Sequence, residues 1–156
     1  MLFKELVEKN RVSFYEKFES WEDAVTASCK TLLDDGTIEQ SYVDAVINCI
    51  KEYGPYIIIA PGVAMPHAQK GSSGVHGTAI AFMKVEEPVH FQEGNPDKDA
   101  RLFFTLAAKD SDEHITNMQK LAELLFKEGF IEDLMKTKTA QDLLDIDRKY
   151  SSQQEC

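Results

Sequence analysis

The chain has 156 residues, the size of one domain, and its 27 acidic against 17 basic side chains give a net charge of −10. This charge argues against binding nucleic acid or an anionic membrane surface, and a hydrophobic content of 43% is too high for a disordered chain. The longest uncharged stretch, 54–66, contains three prolines and is shorter than the roughly 20 apolar residues of a membrane-spanning helix, so no membrane insertion is expected.

The expected location is the cytoplasm. The first ten residues carry charges where a signal peptide needs its apolar run. Cysteine occurs at Cys29, Cys49 and Cys156 without a CxxC motif, and this odd, widely spaced set is typical of reduced thiols. We therefore expect one cytoplasmic domain over residues 1–156, with a core from about 10 to 150 and a frayed tail at 151–156.

Two amphipathic helices are predicted in the first third of the chain. The first is capped by Ser20 and ends at the turn 34–36, and the second is capped by Ser41 and ends at Gly54 and Pro55. Both cysteines in this region lie on the apolar stripes, which favours a packing role for them. The stripes are Trp21, Ala24, Val25, Cys29, Leu32 and Leu33 in the first helix and Tyr42, Ala45, Val46, Cys49, Ile50 and Tyr53 in the second.

The middle of the chain has the pattern of strands. A buried strand is predicted at 56–60, two further strands at 78–85 and 100–108, and a short edge strand at 89–91. Turns are predicted at 86–88 and 94–98, which contain proline, glycine and charged residues.

Helices return in the last third. Ser111 or Asp112 can cap a helix that is closed by Gly129, Phe130–Met135 reads as a short helical turn, and Thr139 caps a final helix. The apolar stripe of the first of these helices is Ile115, Met118, Leu121, Ala122, Leu125 and Phe126.

His67 has a setting suited to chemistry. It follows the predicted strand at 56–60 and the compact segment 61–66, in which two prolines and a glycine restrict the backbone. A nucleophilic histidine needs a neutral ring, a fixed tautomer and an unobstructed lone pair, and small or apolar neighbours can provide these. The alternative is a histidine that only satisfies a turn carbonyl, and the residues alone leave both interpretations open.

His114 lies in the first turn of a predicted helix. A helix N-terminus disfavours the imidazolium, so a neutral His114 can donate one hydrogen bond to an anion, and the free N–H groups of the same turn suit a phosphoryl oxygen. The alternative is a solvated surface histidine beside Glu113.

Other chemistries have little support. The sequence contains no P-loop, HExxH, GxSxG or GxGxxG motif. A zinc site on His67 and His76 would need two further ligands from distant segments, and a metal-dependent hydrolase using His67, His76 and His114 remains an alternative. We expect no metal and no cofactor, and we assign no role to His76 or His90.

The segment 53–68, YGPYIIIAPGVAMPHA, resembles the active-histidine segment of the IIA components of the sugar phosphotransferase system, in the mannitol/fructose-type superfamily. An apolar run followed by GVAMPHA at 62–68 matches its signature. The resemblance extends over roughly residues 10 to 150. The form with Gly54, Pro55 and Tyr56 ahead of the histidine is most similar to the ascorbate-specific IIA proteins.

This resemblance implies an α/β fold, a three-layer sandwich with a mixed sheet of about five strands flanked by helices on both faces. It implies a cytoplasmic phosphotransferase component in which His67 accepts a phosphoryl group from phospho-HPr, with the tele nitrogen as the candidate acceptor. His67 would pass the group to a cysteine of a IIB component for ascorbate uptake, upstream of a membrane IIC component. His114 matches the family's second histidine and would donate a hydrogen bond to the phosphoryl group.

The apolar residues Val63, Met65 and Ile59 would surround His67, dock its partners and exclude water. One departure from the family concerns Lys51, which stands where mannitol-type members tend to have an arginine. Lysine lacks the forked donor geometry of arginine, so the arginine's role is not transferred to it. A second hypothesis keeps the same fold and the same histidine. In that case phosphorylation of His67 would tune binding to a transporter, a kinase or a transcription regulator.

Overall fold

The computed structural model describes residues 2–68 and 74–154. In chain order the elements are α1 (Leu2–Glu8), β1 (Val12–Tyr15), α2 (Trp21–Asp34), α3 (Gln40–Tyr53), β2 (Ile58–Ala60), β3 (Gly62–Ala64), β4 (Ala79–His90), β5 (Asp99–Ala107), α4 (Ser111–Leu125), α5 (Phe130–Met135) and α6 (Ala140–Gln154). A short 3-10 turn at Pro96–Lys98 precedes β5. Among the described residues no helix has the length and apolar character that a bilayer span requires.

The five strands form one mixed sheet in the order β1-β4-β5-β3-β2. The pairs β1–β4 and β3–β5 are parallel, and the pairs β4–β5 and β2–β3 are antiparallel. This mixed sheet with helices on both faces confirms the predicted α/β sandwich.

Each face of the sheet covers its own hydrophobic core. Side chains alternate along a strand, so Ala81 and Met83 of β4 pack under α2 and α3 while Ile80 and Phe82 pack under α1 and the C-terminal helices. Cys29 is fully buried in the first core and Cys49 is half-buried, which agrees with a packing role for Cys29. Cys156 lies outside the described residues.

Several predicted boundaries are confirmed and others are wrong. Ser20 caps α2, because its Oγ accepts a hydrogen bond of 3.1 Å from the Asp23 N–H, and Gly54 ends α3 with a φ of 81°. Glu39, and not Ser41, is the N-cap of α3, and it makes no side-chain capping bond. Thr139 lies directly before α6, where its Oγ1 accepts from the Asp142 N–H at 3.2 Å.

The strand predicted at 78–85 is longer than expected. β4 continues to His90 through the residues predicted as a turn and absorbs the predicted edge strand. Pairing on both sides keeps it extended: the Glu87 N–H donates to the Glu16 carbonyl oxygen, and beyond an irregularity in the register Val89 pairs with Ala100 of β5. The predicted buried strand at 56–60 is shorter, because only Ile58–Ala60 is strand, and it forms an exposed edge.

At the C-terminus, α6 extends to Gln154 and so enters the segment expected to be frayed, of which residues 155 and 156 lie outside the described part.

Candidate functional site

Sheet topology brings His67 and His114 to the same edge of the sheet. β3 and β5 run parallel, so their carboxyl ends point the same way. The chain leaves β3 through Met65 and Pro66 to reach His67, and it leaves β5 to enter α4, which carries His114. The two imidazole rings lie with their centroids 5.2 Å apart and their planes at 47°. The structure therefore places the two predicted site histidines side by side.

The segment before His67 is held firmly to the sheet. The Met65 N–H donates to the Ile57 carbonyl oxygen at 2.8 Å, and the Leu106 N–H donates to the Pro66 carbonyl oxygen at 2.9 Å. Gly62 starts this segment with a φ of +84°, and a Cβ at that position would lie 2.7 Å from the Met135 Cε atom. The positive φ would strain any residue with a side chain there, which explains the glycine in the motif, whereas the Met135 Cε atom ends a flexible side chain and could shift.

The imidazole of His67 uses one of its two nitrogens within the protein. Its Nδ1 lies 2.6 Å from the Met65 carbonyl oxygen. A carbonyl oxygen can only accept, so Nδ1 must carry the hydrogen and the neutral ring has its lone pair on Nε2. The sequence left open that His67 only satisfies a turn carbonyl. This interpretation is compatible with a nucleophilic role, because the hydrogen bond to the carbonyl also fixes the tautomer.

Burial keeps His67 neutral. Its pKa is lowered from 6.5, mainly because burial disfavours the imidazolium, and the nearby His114 lowers it further. The hydrogen bond to the Met65 carbonyl acts in the opposite direction but does not reverse the shift. Burial also lowers the pKa of His114. Both rings are accordingly neutral at physiological pH, and a neutral ring has a free lone pair.

The helix that carries His114 begins differently from the prediction. The N-cap position of α4 is Asp110, one residue before the predicted Ser111 and two before Asp112, and its Oδ1 atom accepts from the Glu113 N–H at 2.8 Å. The Asp110 carboxylate therefore accepts from one of the free N–H groups that were expected to suit a phosphoryl oxygen. Glu113 also accepts a hydrogen bond from the Thr78 hydroxyl, which ties the first turn of α4 to the start of β4. His114 itself is half-buried and its ring lies beside that of His67, so it is less exposed than the alternative of a solvated surface histidine expects.

The predicted apolar ring around His67 needs correction. Val63 is 0% exposed and Met65 is 2% exposed, because both side chains point into the core beneath the C-terminal helices. Neither can offer surface to a partner. Ile59 is 42% exposed, and Ile115, which was predicted to face the core, is 52% exposed directly after His114.

Two tyrosines contact the backbone of residues 67 and 68, and neither was predicted from the sequence to belong to the site. The Tyr56 hydroxyl donates to the His67 carbonyl oxygen, and its ring meets the imidazole edge-on, at 5.2 Å and 89°. The Tyr42 hydroxyl accepts from the Ala68 N–H at 3.3 Å. A signal for Tyr42 existed, since a tyrosine on a buried apolar stripe must find a partner for its hydroxyl.

The remaining histidines are not part of this site. The His76 Nε2 atom lies 3.0 Å from a Glu39 carboxylate oxygen, and the His90 Nδ1 atom lies 2.8 Å from an Asp99 carboxylate oxygen. Within 2–68 and 74–154, no group of three or more His, Cys, Asp or Glu side chains is arranged to hold a metal ion. Lys51 is exposed in the last turn of α3.

Comparison with known proteins relates this chain to a family. Residues 5–149 match the family model of the phosphoenolpyruvate-dependent sugar phosphotransferase system, EIIA 2. The mannitol-specific cryptic phosphotransferase enzyme IIA component of Escherichia coli is 36% identical over 138 residues, which is 88% of this chain and 92% of the relative. The ascorbate-specific EIIA component of Salmonella choleraesuis is 30% identical over 142 residues, which is 90% of this chain and 91% of the relative.

Solved structures show the same fold. The solution structure of the cryptic mannitol-specific enzyme IIA of Escherichia coli superposes with a TM-score of 0.81 and 34% identity, over 94% of this chain and 97% of that one. The mannitol enzyme IIA of Escherichia coli, solved in complex with phosphorylated enzyme IIB, superposes with a TM-score of 0.75 and 26% identity, over 87% and 92% of the two chains. The chain therefore belongs to the EIIA 2 family of the phosphoenolpyruvate-dependent sugar phosphotransferase system, and it is a phosphotransferase component with a phosphocarrier role in that system.

Proposed function

We propose that His67 is the residue that carries the phosphoryl group, and that it does so on Nε2. The observation that supports this most directly is the bond from the His67 Nδ1–H to the Met65 carbonyl, which leaves the Nε2 lone pair available in a ring held neutral by burial. The position of His114 beside this ring adds a hydrogen-bond donor where an anionic group would form.

The proposed reaction is a two-step relay. In the first step the Nε2 lone pair attacks the phosphorus of the phosphohistidine of HPr, and the P–N bond of the donor breaks with its electron pair returning to the donor imidazole. His67 then carries a phosphoryl group on Nε2 and a hydrogen on Nδ1. In the second step a cysteine thiolate of a IIB component attacks the phosphorus, and the P–N electrons return to Nε2.

The Met65 carbonyl serves both steps. A ring that is phosphorylated on Nε2 and protonated on Nδ1 is a cation, and the carbonyl oxygen stabilises it through the Nδ1–H bond. Because the ring leaves as neutral imidazole in the second step, the phosphoryl group stays transferable. His114, neutral at physiological pH because burial lowers its pKa, donates one N–H to a phosphoryl oxygen.

Partner docking uses exposed apolar side chains that lie close in sequence to His67 or His114. We assign this role to Ile59 and add Ile115, the residue directly after His114. These replace the buried Val63 and Met65 of the sequence-based ring. An apolar contact at this edge would exclude water during transfer and slow hydrolysis of the phosphohistidine.

The proposed pathway is uptake of ascorbate, in the cytoplasm, with transfer to an ascorbate-type IIB component and through it to a membrane IIC component. The support is the form of the segment 53–68, which resembles ascorbate-specific IIA proteins. The mannitol-specific relative has the higher overall identity, 36% against 30%, so a mannitol-type IIB component is the alternative acceptor. A IIA component does not touch the sugar, so only the choice of IIB partner can separate the two.

The test is phosphoryl labelling with phosphoenolpyruvate, enzyme I and HPr. The unaltered protein should acquire one acid-labile phosphoryl group, and His67→Ala should acquire none. His90→Ala is the matched control, because the His90 Nδ1 atom contacts an Asp99 carboxylate oxygen outside the site and its loss should leave labelling intact. Label that persists in His67→Ala would refute the assignment.

The same labelled protein separates the pathways. Incubation in parallel with ascorbate-type and mannitol-type IIB components should transfer the label faster to the ascorbate type. Preferential transfer to the mannitol type would overturn the sugar assignment while leaving His67 as the carrier. Labelling without transfer to either IIB would instead favour the regulatory hypothesis.

A further inference from the structure

The chain departs from regular sheet pairing immediately after His67. β3 pairs with β5 in parallel, and the Leu106 N–H to Pro66 carbonyl bond continues that ladder by one step. In a regular parallel ladder the next bond would run from the Ala68 N–H to the Leu106 carbonyl oxygen. In this structure the hydroxyl of Tyr42 stands between those two groups.

Tyr42 bridges the two groups with one hydroxyl. It accepts from the Ala68 N–H at 3.3 Å and donates to the Leu106 carbonyl oxygen at 2.7 Å. Its side chain reaches this position from α3 and is 4% exposed, so no solvent could replace it without rearrangement. Through this bridge the backbone at residue 68 stays connected to β5, but the tyrosine hydroxyl replaces the direct hydrogen bond between the two strands.

Tyr56 holds the same peptide group, the one that joins residues 67 and 68, by its carbonyl oxygen. Its hydroxyl donates to the His67 carbonyl oxygen, and its ring lies edge-on against the imidazole. Burial raises the pKa of Tyr42 to about 12 and raises that of Tyr56 as well, so both hydroxyls keep their hydrogens across the physiological range.

We propose that Tyr42 and Tyr56 are positioning residues that set the tautomer of His67. Together they fix the single peptide group that joins residues 67 and 68, Tyr56 at its carbonyl oxygen and Tyr42 at its N–H, and this fixes the direction in which the imidazole leaves the backbone. In that direction Nδ1 meets the Met65 carbonyl and Nε2 stays open. This inference rests on the proposed role of His67 as the phosphoryl carrier, because its consequence for activity passes through Nε2.

The test uses Tyr42→Phe and Tyr56→Phe, which keep the rings and remove only the hydroxyls. The primary readout is the pair of ring ¹⁵N chemical shifts of His67 in the unphosphorylated protein above pH 8, which report which nitrogen carries the hydrogen. The unaltered protein should show the Nδ1–H form alone. Each variant should show a mixture of tautomers, and phosphoryl acceptance should be slower by about tenfold to a hundredfold, as expected when a reacting group is misplaced.

Two control variants separate positioning from general loss of stability. Tyr150→Phe removes another buried tyrosine hydroxyl, which bonds to an Asp133 carboxylate oxygen at 2.7 Å in the opposite core, and Tyr53→Phe alters an exposed tyrosine on the same helix as Tyr42. Both should keep the single tautomer and the unaltered rate of phosphoryl acceptance. A tautomer mixture in Tyr150→Phe would show that any destabilisation has this effect, and it would overturn the proposal.

An unchanged tautomer and rate in either Tyr42→Phe or Tyr56→Phe overturns the assignment for that tyrosine. Because the ¹⁵N shifts are measured without HPr or any phosphoryl donor, they judge the tyrosines independently of the reaction. Failure of the unaltered protein to accept a phosphoryl group at His67 would contradict the proposed function and leave the tautomer result intact.

Discussion

At the scale of single residues, the chemistry depends on how the two ring nitrogens of His67 are used. One hydrogen bond to the Met65 carbonyl assigns the hydrogen to Nδ1, and burial removes the competing proton from Nε2. Neither effect can be predicted from the order of the residues, because both depend on a carbonyl and on packing that only the folded chain provides. The motif itself predicted the position of the histidine but not its tautomer.

The lowered pKa of His67 gives a pH dependence with a definite sign. Nε2 accepts a phosphoryl group only when it is unprotonated, and the pKa lies below the usual value of 6.5. Acceptance should therefore persist to lower pH than it would for a free imidazole and fall as the pH drops through the pKa of the folded protein, which lies below 6.5. An NMR titration of the His67 ring, run beside the rate measurement, checks both statements.

The same shift affects stability. The unfolded chain binds a proton at His67 before the folded chain does, so the contribution of this residue to the free energy of unfolding decreases as the pH falls below about 6.5. A His67 pKa at or above 7 in the titration would contradict the account of the ring as a buried, neutral nucleophile.

At the scale of elements, α4 presents His114 to His67 through its first turn. That turn is held by the Asp110 cap on the Glu113 N–H and by the hydrogen bond from Thr78 to the Glu113 carboxylate. The helix was predictable from its periodicity. Its cap was not, because Asp110, Ser111 and Asp112 are all good capping residues and only the path of the chain out of β5 selects among them.

Loss of this cap should affect both stability and transfer. Asp110→Ala should lower the free energy of unfolding by about 1 kcal/mol, measured by urea denaturation, and should slow phosphoryl transfer several-fold because the first turn loosens around His114. Asp110→Asn retains a capping oxygen and should behave like the unaltered protein in both measurements.

Ser20→Ala is the matched control, since it removes the cap of α2 in a helix that carries no site residue. It should lose a similar amount of stability and leave transfer unchanged. Slow transfer in Asp110→Asn would show that the negative charge of Asp110, rather than its cap, is the important property.

The elements also show where sequence patterns lose their predictive value. α1 and β1 were not predicted, since α1 mixes its few apolar residues with charges and β1 is only four residues long. α1 is fixed by groups distant in the chain: Asp147 of α6 accepts hydrogen bonds from the Phe3 and Lys4 N–H groups at 3.2 and 2.6 Å. No local pattern can report a cap that lies more than a hundred residues away.

At the scale of the whole molecule, the sheet separates two hydrophobic cores. His67 lies at the end of the sheet where the carboxyl ends of β3 and β5 point. Apolar periodicity predicted the helices α2 and α3 and the long strands, although Tyr53, Ile115 and Phe126 of the predicted stripes are exposed, and the α/β sandwich itself was predicted from the family resemblance. The docking residues were harder, because Val63 and Ile59 look alike in sequence while one lies inside a core and the other lies on an exposed edge strand. Burial on a short strand depends on the neighbouring elements and not on residue type.

The net charge of −10 belongs to the surface of the whole molecule and not to the site, where a neutral histidine pair is accompanied by tyrosine rings. The acidic surface favours association with basic surfaces of partner proteins. The few charges at the site itself would bind a phosphoryl group weakly, which suits a group that must be passed on.

The central claim is that the phosphoryl group resides on Nε2 of His67. The most direct test is a ¹⁵N and ³¹P NMR analysis of the protein after phosphorylation with phosphoenolpyruvate, enzyme I and HPr. The account predicts a single phosphohistidine in which ³¹P couples to Nε2 of His67, while Nδ1 remains protonated. A phosphoryl group on Nδ1 of His67, or on any other residue, would contradict it.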